Sequence, residues 1–185
     1  MNKDFIIALA LGLLAAPCLP AQEQQPAPQP PAPQQEQQAP AAAQENTVGK
    51  ALEAMQRFAT EKRPDTQARY YIYLQSAGWC GPCNQEMPKV VQEYKEMQKH
   101  GVELIFVSCD KTPQDAVAFM KKYGADFACI GYETPESAAL PGYTPERCVP
   151  RMTIVDATGK VVAGPENPRF LLPKWREHTH TPAAE

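Results

Sequence analysis

The sequence predicts an α/β domain with three layers, helices packed on both faces of a central mixed sheet. Three observations lead there. Val102–Ser108 (VELIFVS) is apolar enough to be a central strand of a parallel sheet. Strand candidates alternate with amphipathic helices through the first part of the folded region, which is the β-α-β pattern. The last part reads strand, turn, strand, helix, and its hairpin must run antiparallel.

The elements follow in order. Val48, Ala51, Leu52, Met55, Phe58 and Ala59 recur at helical spacing and predict a first amphipathic helix, ending near Arg63-Pro64. Residues 69–75 form a buried-strand candidate. A turn at Trp79 to Cys83 leads into a long helix reaching Lys99. Pro88 lies inside it and should kink it, and Gly101 should stop it. After Val102–Ser108, Pro113 opens a helix whose apolar side is Ala116, Val117, Phe119 and Met120, closing at Gly124. Residues 127–130 read as a short strand or an extended loop. Residues 133–147 read as a loop, punctuated by Pro135, Pro141, Gly142 and Pro145. Residues 152–155 and 160–163 flank Ala157-Thr158-Gly159 as a hairpin. Residues 168–178 form the last helix, broken or kinked at Pro173, with Trp175 anchoring it to the sheet.

The folded domain is expected at residues 47–185, enough for one real core. Residues 1–21 read as a secretory signal: Lys3, an apolar core over residues 5–16, then Pro17-Cys18-Leu19-Pro20-Ala21 with cleavage after Ala21. That core is shorter than the roughly 20 residues a spanning helix needs. Lipid attachment at Cys18 is the rival, although Pro17 fits a lipobox badly. Residues 22–46 are nearly all Gln, Pro, Ala and Glu and cannot bury a core. As an extended linker they would reach roughly 75 Å. They form a tether if the N-terminus stays anchored and a solvated arm if it is cleaved. The net charge of −3, without a basic stripe, argues against nucleic acid as a partner.

The chemistry concentrates in Trp79-Cys80-Gly81-Pro82-Cys83. Two cysteines separated by two residues, at a strand-to-helix turn, can open and close a disulfide without remodelling the fold. The thiolate is the nucleophile in disulfide exchange, and a helix N-terminus stabilises negative charge. Cys80 sits where that effect is largest and is taken as the attacking sulfur. Cys83 lies one turn further in and would resolve the mixed disulfide. A zinc site would need a second Cys or His pair, and none follows; no metal is expected. A haem-attachment site would need His after Cys83, where Asn84 stands. An inert structural disulfide fits poorly with the flanking Trp79 and the Gly81-Pro82 insert.

With these residues in view, the chain from Thr47 onward resembles the thioredoxin superfamily. The matches are Trp79 to Cys83, Pro88 five residues after the second cysteine, and Val149-Pro150 directly before the Met152 strand. The resemblance implies a thioredoxin-like fold and a cis bond at Pro150. It also implies that Trp79, Gly81, Pro82, Val149 and Pro150 bind substrate, with the backbone of Val149 pairing with a substrate segment. Two branches compete. The secretion signal and the Asp156-Ala157-Thr158-Gly159-Lys160 hairpin look like the TlpA and ResA reductases. Ser76-Ala77-Gly78-Trp79-Cys80 and Val107-Ser108-Cys109-Asp110 look like tryparedoxin and nucleoredoxin. One departure stands out: many thioredoxins carry a buried aspartate six residues before the first cysteine, and here that position is Leu74. Proton transfer for Cys83 must then come from water, Glu86 or Asp110.

Three further cysteines follow: Cys109, Cys129 and Cys148. They are small buried or loop residues, or two of them form an extra disulfide, with Cys109–Cys129 or Cys129–Cys148 favoured, or one exchanges with the active dithiol. His100, His178 and His180 read as surface residues.

The functional expectation is a periplasmic or secreted thiol-disulfide oxidoreductase that reduces protein disulfides without a cofactor, recharged by a membrane thiol donor. Contact with the membrane itself is expected only if the N-terminus stays anchored. No G-x-G-x-x-G follows a strand, so NADPH or flavin must act elsewhere. The alternatives are a disulfide-forming oxidase or isomerase, a thiol peroxidase, and a non-catalytic thioredoxin-fold binding module. The peroxidase would need a threonine- and proline-bearing turn around its cysteine, which Cys80 lacks.

Overall fold

The computed structural model describes residues 45–179. The signal-like segment, Cys18, linker residues 22–44 and His180 lie outside the described residues.

The described chain runs α1 (Thr47–Ala54), β1 (Tyr70–Ser76), α2 (Gly81–Lys99), β2 (Val102–Ser108), α3 (Pro113–Tyr123), β3 (Ala128–Gly131), α4 (Pro135–Ala138), β4 (Arg151–Asp156), β5 (Val161–Glu166), α5 (Pro168–Leu171), a 3-10 turn (Leu172–Lys174) and α6 (Trp175–Thr179). The sheet order is β3-β2-β1-β4-β5. β1, β2 and β3 are parallel, while β4 runs antiparallel to both β1 and β5. The expected mixed sheet is therefore present, with β1 and β2 at its centre.

Alternation along the strands divides the core into two layers. Ile72 and Leu74, with Leu104 and Phe106, point toward α2, α3 and the C-terminal helices. Tyr71 and Tyr73, with Ile105 and Val107, point the other way, toward α1 and Leu140. Both faces of β1 and β2 are sealed, which is why these strands read as mainly apolar runs, with Gln75, Ser76, Glu103 and Ser108 as their buried polar residues.

Four details refine the sequence expectations; the end of the first helix and the α4 turn depart from them. The first helix stops at Ala54, not near Arg63. The chain beyond it is used to close the sheet: Ala59 N–H donates to the Cys129 carbonyl, and Thr60 Oγ1 accepts from Cys129 N–H, so β3 has no bare edge there. Residues 127–130, open between strand and loop, supply β3 over Ala128–Gly131. The loop-like 133–147 region contains α4, opened by a capping box in which Thr134 and Ser137 each accept from the other's backbone. The last helix is three short pieces, and Pro173 sits in the 3-10 turn between them. Trp175 is fully buried there, and its indole N–H donates to Glu93 of α2 at 3.0 Å.

Candidate active site

β1 ends at Ser76 and α2 begins at Gly81, so the Trp79-to-Cys83 turn lies at the C-terminal edge of the parallel strands. Cys80 is the N-cap of α2, and Pro82 occupies the first turn, where its missing N–H costs no helix bond. Cys80 and Cys83 are joined as a disulfide with Cα atoms 5.2 Å apart. The backbone N–H of Cys83 donates to Cys80 Sγ at 3.2 Å. In the dithiol form the same N–H and the α2 N-terminus would face Cys80 Sγ, an arrangement that favours negative charge on the sulfur. Cys80 is 6% exposed and Cys83 only 1%. The pair is asymmetric: Cys80 keeps a little exposure, and Cys83 is sealed.

The loop carrying Val149 and Pro150 closes over the dithiol. The Val149 carbonyl oxygen lies 3.7 Å from Cys80 Sγ. The Val149–Pro150 bond is cis, and so is Gly164–Pro165, which the sequence reading did not anticipate. Gln75, the penultimate residue of β1, holds this loop. Its side-chain oxygen accepts from Tyr143 hydroxyl (2.7 Å) and Glu146 N–H (2.9 Å), and its amide donates to the Glu146 carbonyl.

Trp79 is 67% exposed, and its indole N–H donates to the Cys109 carbonyl at 3.1 Å. Asn84 was passed over in the sequence, yet it does most to hold the turn. It donates to the carbonyls of Gly78 and Cys80, both at 2.8 Å, and accepts from Lys122 Nζ (2.9 Å) and Tyr123 hydroxyl (2.8 Å). An amide side chain at the fourth position of α2, directly after Gly81-Pro82-Cys83, was the available signal.

The two proton-transfer candidates separate. Glu86, almost fully buried, lines a tight crevice with Cys83, Leu74, Ser76 and Pro150, and Lys89 Nζ lies 3.2 Å from its carboxylate. Leu74 forms the wall where many thioredoxins have a carboxylate, so that side of Cys83 is apolar. Asp110 is occupied elsewhere: it accepts from Gly78 N–H and Ser108 hydroxyl, both at 2.9 Å, and so braces the turn.

Cys109, Cys129 and Cys148 are all free thiols, so neither favoured extra disulfide is formed. Cys129 is sealed within the core layer under α2 and α3, where burial pushes its thiol up to about 12. Burial likewise pushes Cys109 up to about 11. Cys148 is exposed, one residue before Val149.

Residues 37–163 match the model of the AhpC/TSA family. The chain belongs to the AhpC/TSA family. Within that family frame, relatives of both branches suggested by the sequence are found. Thiol-disulfide oxidoreductase ResA of Bacillus subtilis (strain 168) is 31% identical over 84 residues, 45% of this chain and 45% of that protein. Probable nucleoredoxin 1 of Arabidopsis thaliana is 32% identical over 89 residues, 47% of this chain and 15% of that protein. The matched region thus spans less than half the length of these relatives. Tryparedoxin II from C. fasciculata superposes with a TM-score of 0.55 at 18% identity, over 69% of this chain and 91% of that one. The thioredoxin-family thiol:disulfide interchange protein from Chlorobium tepidum TLS gives 0.50 at 24% identity, over 62% and 82%. The fold of this AhpC/TSA member is that of thioredoxin.

Proposed function

We propose that the chain is an extracytoplasmic thiol-disulfide oxidoreductase that reduces protein disulfides through Cys80 and Cys83. The observation that carries this is the asymmetric pair: Cys80 capping a 19-residue helix with an N–H aimed at its sulfur, and Cys83 buried behind it. The ResA and nucleoredoxin relatives support the reaction class, and Lys3 with the apolar residues 5–16 supports export.

The reaction has two exchanges. A substrate segment lies along the Val149 backbone, and the Cys80 thiolate attacks one sulfur of the substrate disulfide. A Cys80–substrate bond forms, the substrate S–S bond breaks, and the departing sulfur takes up a proton. Cys83 then gives up its proton and attacks Cys80 Sγ. The mixed disulfide breaks, Cys80–Cys83 forms, and the second substrate sulfur leaves as a thiol. The substrate gains two electrons and two protons, and the dithiol loses them. Glu86 takes the Cys83 proton in this reading, which its sharing a crevice with Cys83 supports. A dithiol on a membrane protein returns the electrons.

The direction of flow is argued from Gly81-Pro82, the insert of thioredoxin, whose potential is about −270 mV against about −120 mV for the oxidant DsbA. Equilibration of the Cys80–Cys83 couple with defined dithiol buffers, read by mass after alkylation, tests it. A value near −270 mV fits a reductant, and a value near −120 mV means that the protein donates disulfides.

A further inference from the structure

A groove of about 500 Å³ runs between Trp79 and α3, lined by Gly78, Asp110, Lys111, Asp115, Ala118, Phe119 and Lys122. Asp115, Ala118, Phe119 and Lys122 recur at i, i+3, i+4 and i+7, so one stripe of α3 forms the whole far wall. The near wall is the residue that precedes the attacking cysteine. Order in the sheet places the groove on one flank of the dithiol: α3 connects β2 to β3, whereas Val149-Pro150 leads into β4 on the opposite side of β1. A chain seated on Val149 with its cysteine at Cys80 would continue across Trp79 toward the groove.

The walls say what fits. Trp79 is held at its N–H edge by the Cys109 carbonyl while the residue stays two-thirds exposed, leaving a large apolar side chain in water. Ala118 is small and exposed, and leaves the gap open above buried Phe119. The charges at the rim are not equivalent. Asp110 already accepts from Gly78 N–H and Ser108 hydroxyl, and Asp115 accepts from Thr112 hydroxyl at 2.7 Å as part of the α3 cap. Neither Lys111 nor Lys122 forms an ion pair among the described residues; Lys122 donates to Asn84, and its Nζ lies 5.0 Å from the centre of the Tyr123 ring. The rim carries two carboxylates, each accepting from neutral donors, and two ammonium groups, of which exposed Lys111 is the freest to meet a ligand charge. The volume suits two or three residues of extended polypeptide better than one side chain.

We infer that this groove is a specificity site, and that it selects polypeptide disulfides whose cysteine is followed within a few residues by an aromatic side chain next to an acidic one. The aromatic ring stacks on Trp79 over Ala118, and the carboxylate meets Lys111 and Lys122. The inference rests on the reductase reading given above and adds the substrate class.

Two synthetic peptides test it, each with one cysteine in mixed disulfide with 2-mercaptoethanol, one carrying Phe-Asp beyond the cysteine and the other Ala-Lys. The protein is reduced with dithiothreitol, freed of it, and mixed with each peptide under single-turnover conditions. The Phe-Asp peptide should be reduced roughly tenfold faster, the smallest discrimination expected of a well-fitted apolar contact. Ala118→Phe, which fills the groove, should bring that ratio close to one. Lys111→Glu, on an exposed loop, should lower it independently should the first variant fold poorly. Equal rates for the two peptides in the wild type, or an unchanged ratio in both variants, overturns the specificity site. Bis(2-hydroxyethyl) disulfide separates the two levels: reduction of this small neutral probe by the wild type alongside equal peptide rates overturns the groove alone. No reduction of any of the three overturns the reductase reading and the groove with it.

Discussion

The side-chain amide of Asn84 donates to the Cys80 carbonyl at 2.8 Å, so the residue after the buried cysteine holds the backbone of the reactive one. The same side chain accepts from Lys122 and Tyr123 of α3. One amide therefore ties the redox turn, the start of α2 and the far wall of the groove into a unit.

Asn84→Ala removes four hydrogen bonds and leaves the half-buried Tyr123 hydroxyl without that partner. The expected loss is about 1–3 kcal/mol of stability. Urea denaturation of the oxidised protein should show a lower midpoint with an unchanged slope, and a wild-type midpoint would refute the bracing role.

The asymmetry of the dithiol predicts unequal single variants. Cys80→Ser should abolish disulfide reduction. Cys83→Ser should keep the attack and lose the release, so that a mixed disulfide with substrate accumulates and is visible by non-reducing mass spectrometry. Accumulation on Cys83 in the Cys80→Ser protein would reverse the assignment.

If Glu86 takes the Cys83 proton, Glu86→Gln should slow the second exchange and spare the first. Stopped-flow tryptophan fluorescence and acid quench would resolve the two steps. Roughly 10²-fold or more is expected on release, the usual size of a general-base contribution. An equal effect on both steps would point to a packing role beside Cys83 instead.

Glu103 sits at 2% exposure on β2, accepting from Tyr94 hydroxyl at 2.8 Å and Asp65 N–H at 3.2 Å. Burial holds its carboxyl above the ordinary value near 4.5 despite those donors. The native state therefore binds this proton more tightly than the unfolded chain does. Between the two pKa values the folded form carries more protons, so this group's contribution to stability falls as pH rises through that window. In Glu103→Gln that falling contribution should vanish. Unfolding free energies measured from pH 4 upward should show a smaller loss with rising pH in the variant than in the wild type, and parallel curves would contradict it.

The free thiols should react in order of access. Iodoacetamide at pH 8 should label exposed Cys148 first. Cys109 and Cys129, pushed by burial to about 11 and about 12, should stay unlabelled until the protein is unfolded. Peptide mapping before and after denaturation decides the order.

The sequence alone was enough for the α/β class, the β2 strand to the residue, the pairing of Cys80 with Cys83 and the cis bond at Val149-Pro150. These are local signals. VELIFVS is apolar apart from Glu103 and Ser108 because both faces of β2 are covered, and Cys80-Gly81-Pro82-Cys83 encodes its own helix start. The end of α1 was not legible, because Met55 and Phe58 keep helical spacing while their chain is drawn out to cover the β3 edge. Tertiary structure alone separated Glu86 from Asp110, since both were near Cys83 by position and only one shares its crevice. It also gave Gln75 and Asn84 their roles, and set a stripe of α3 opposite Trp79. Hydrogen bonds and clefts between residues 30 to 70 positions apart depend on how the sheet orders its strands, and no short window of sequence carries that order.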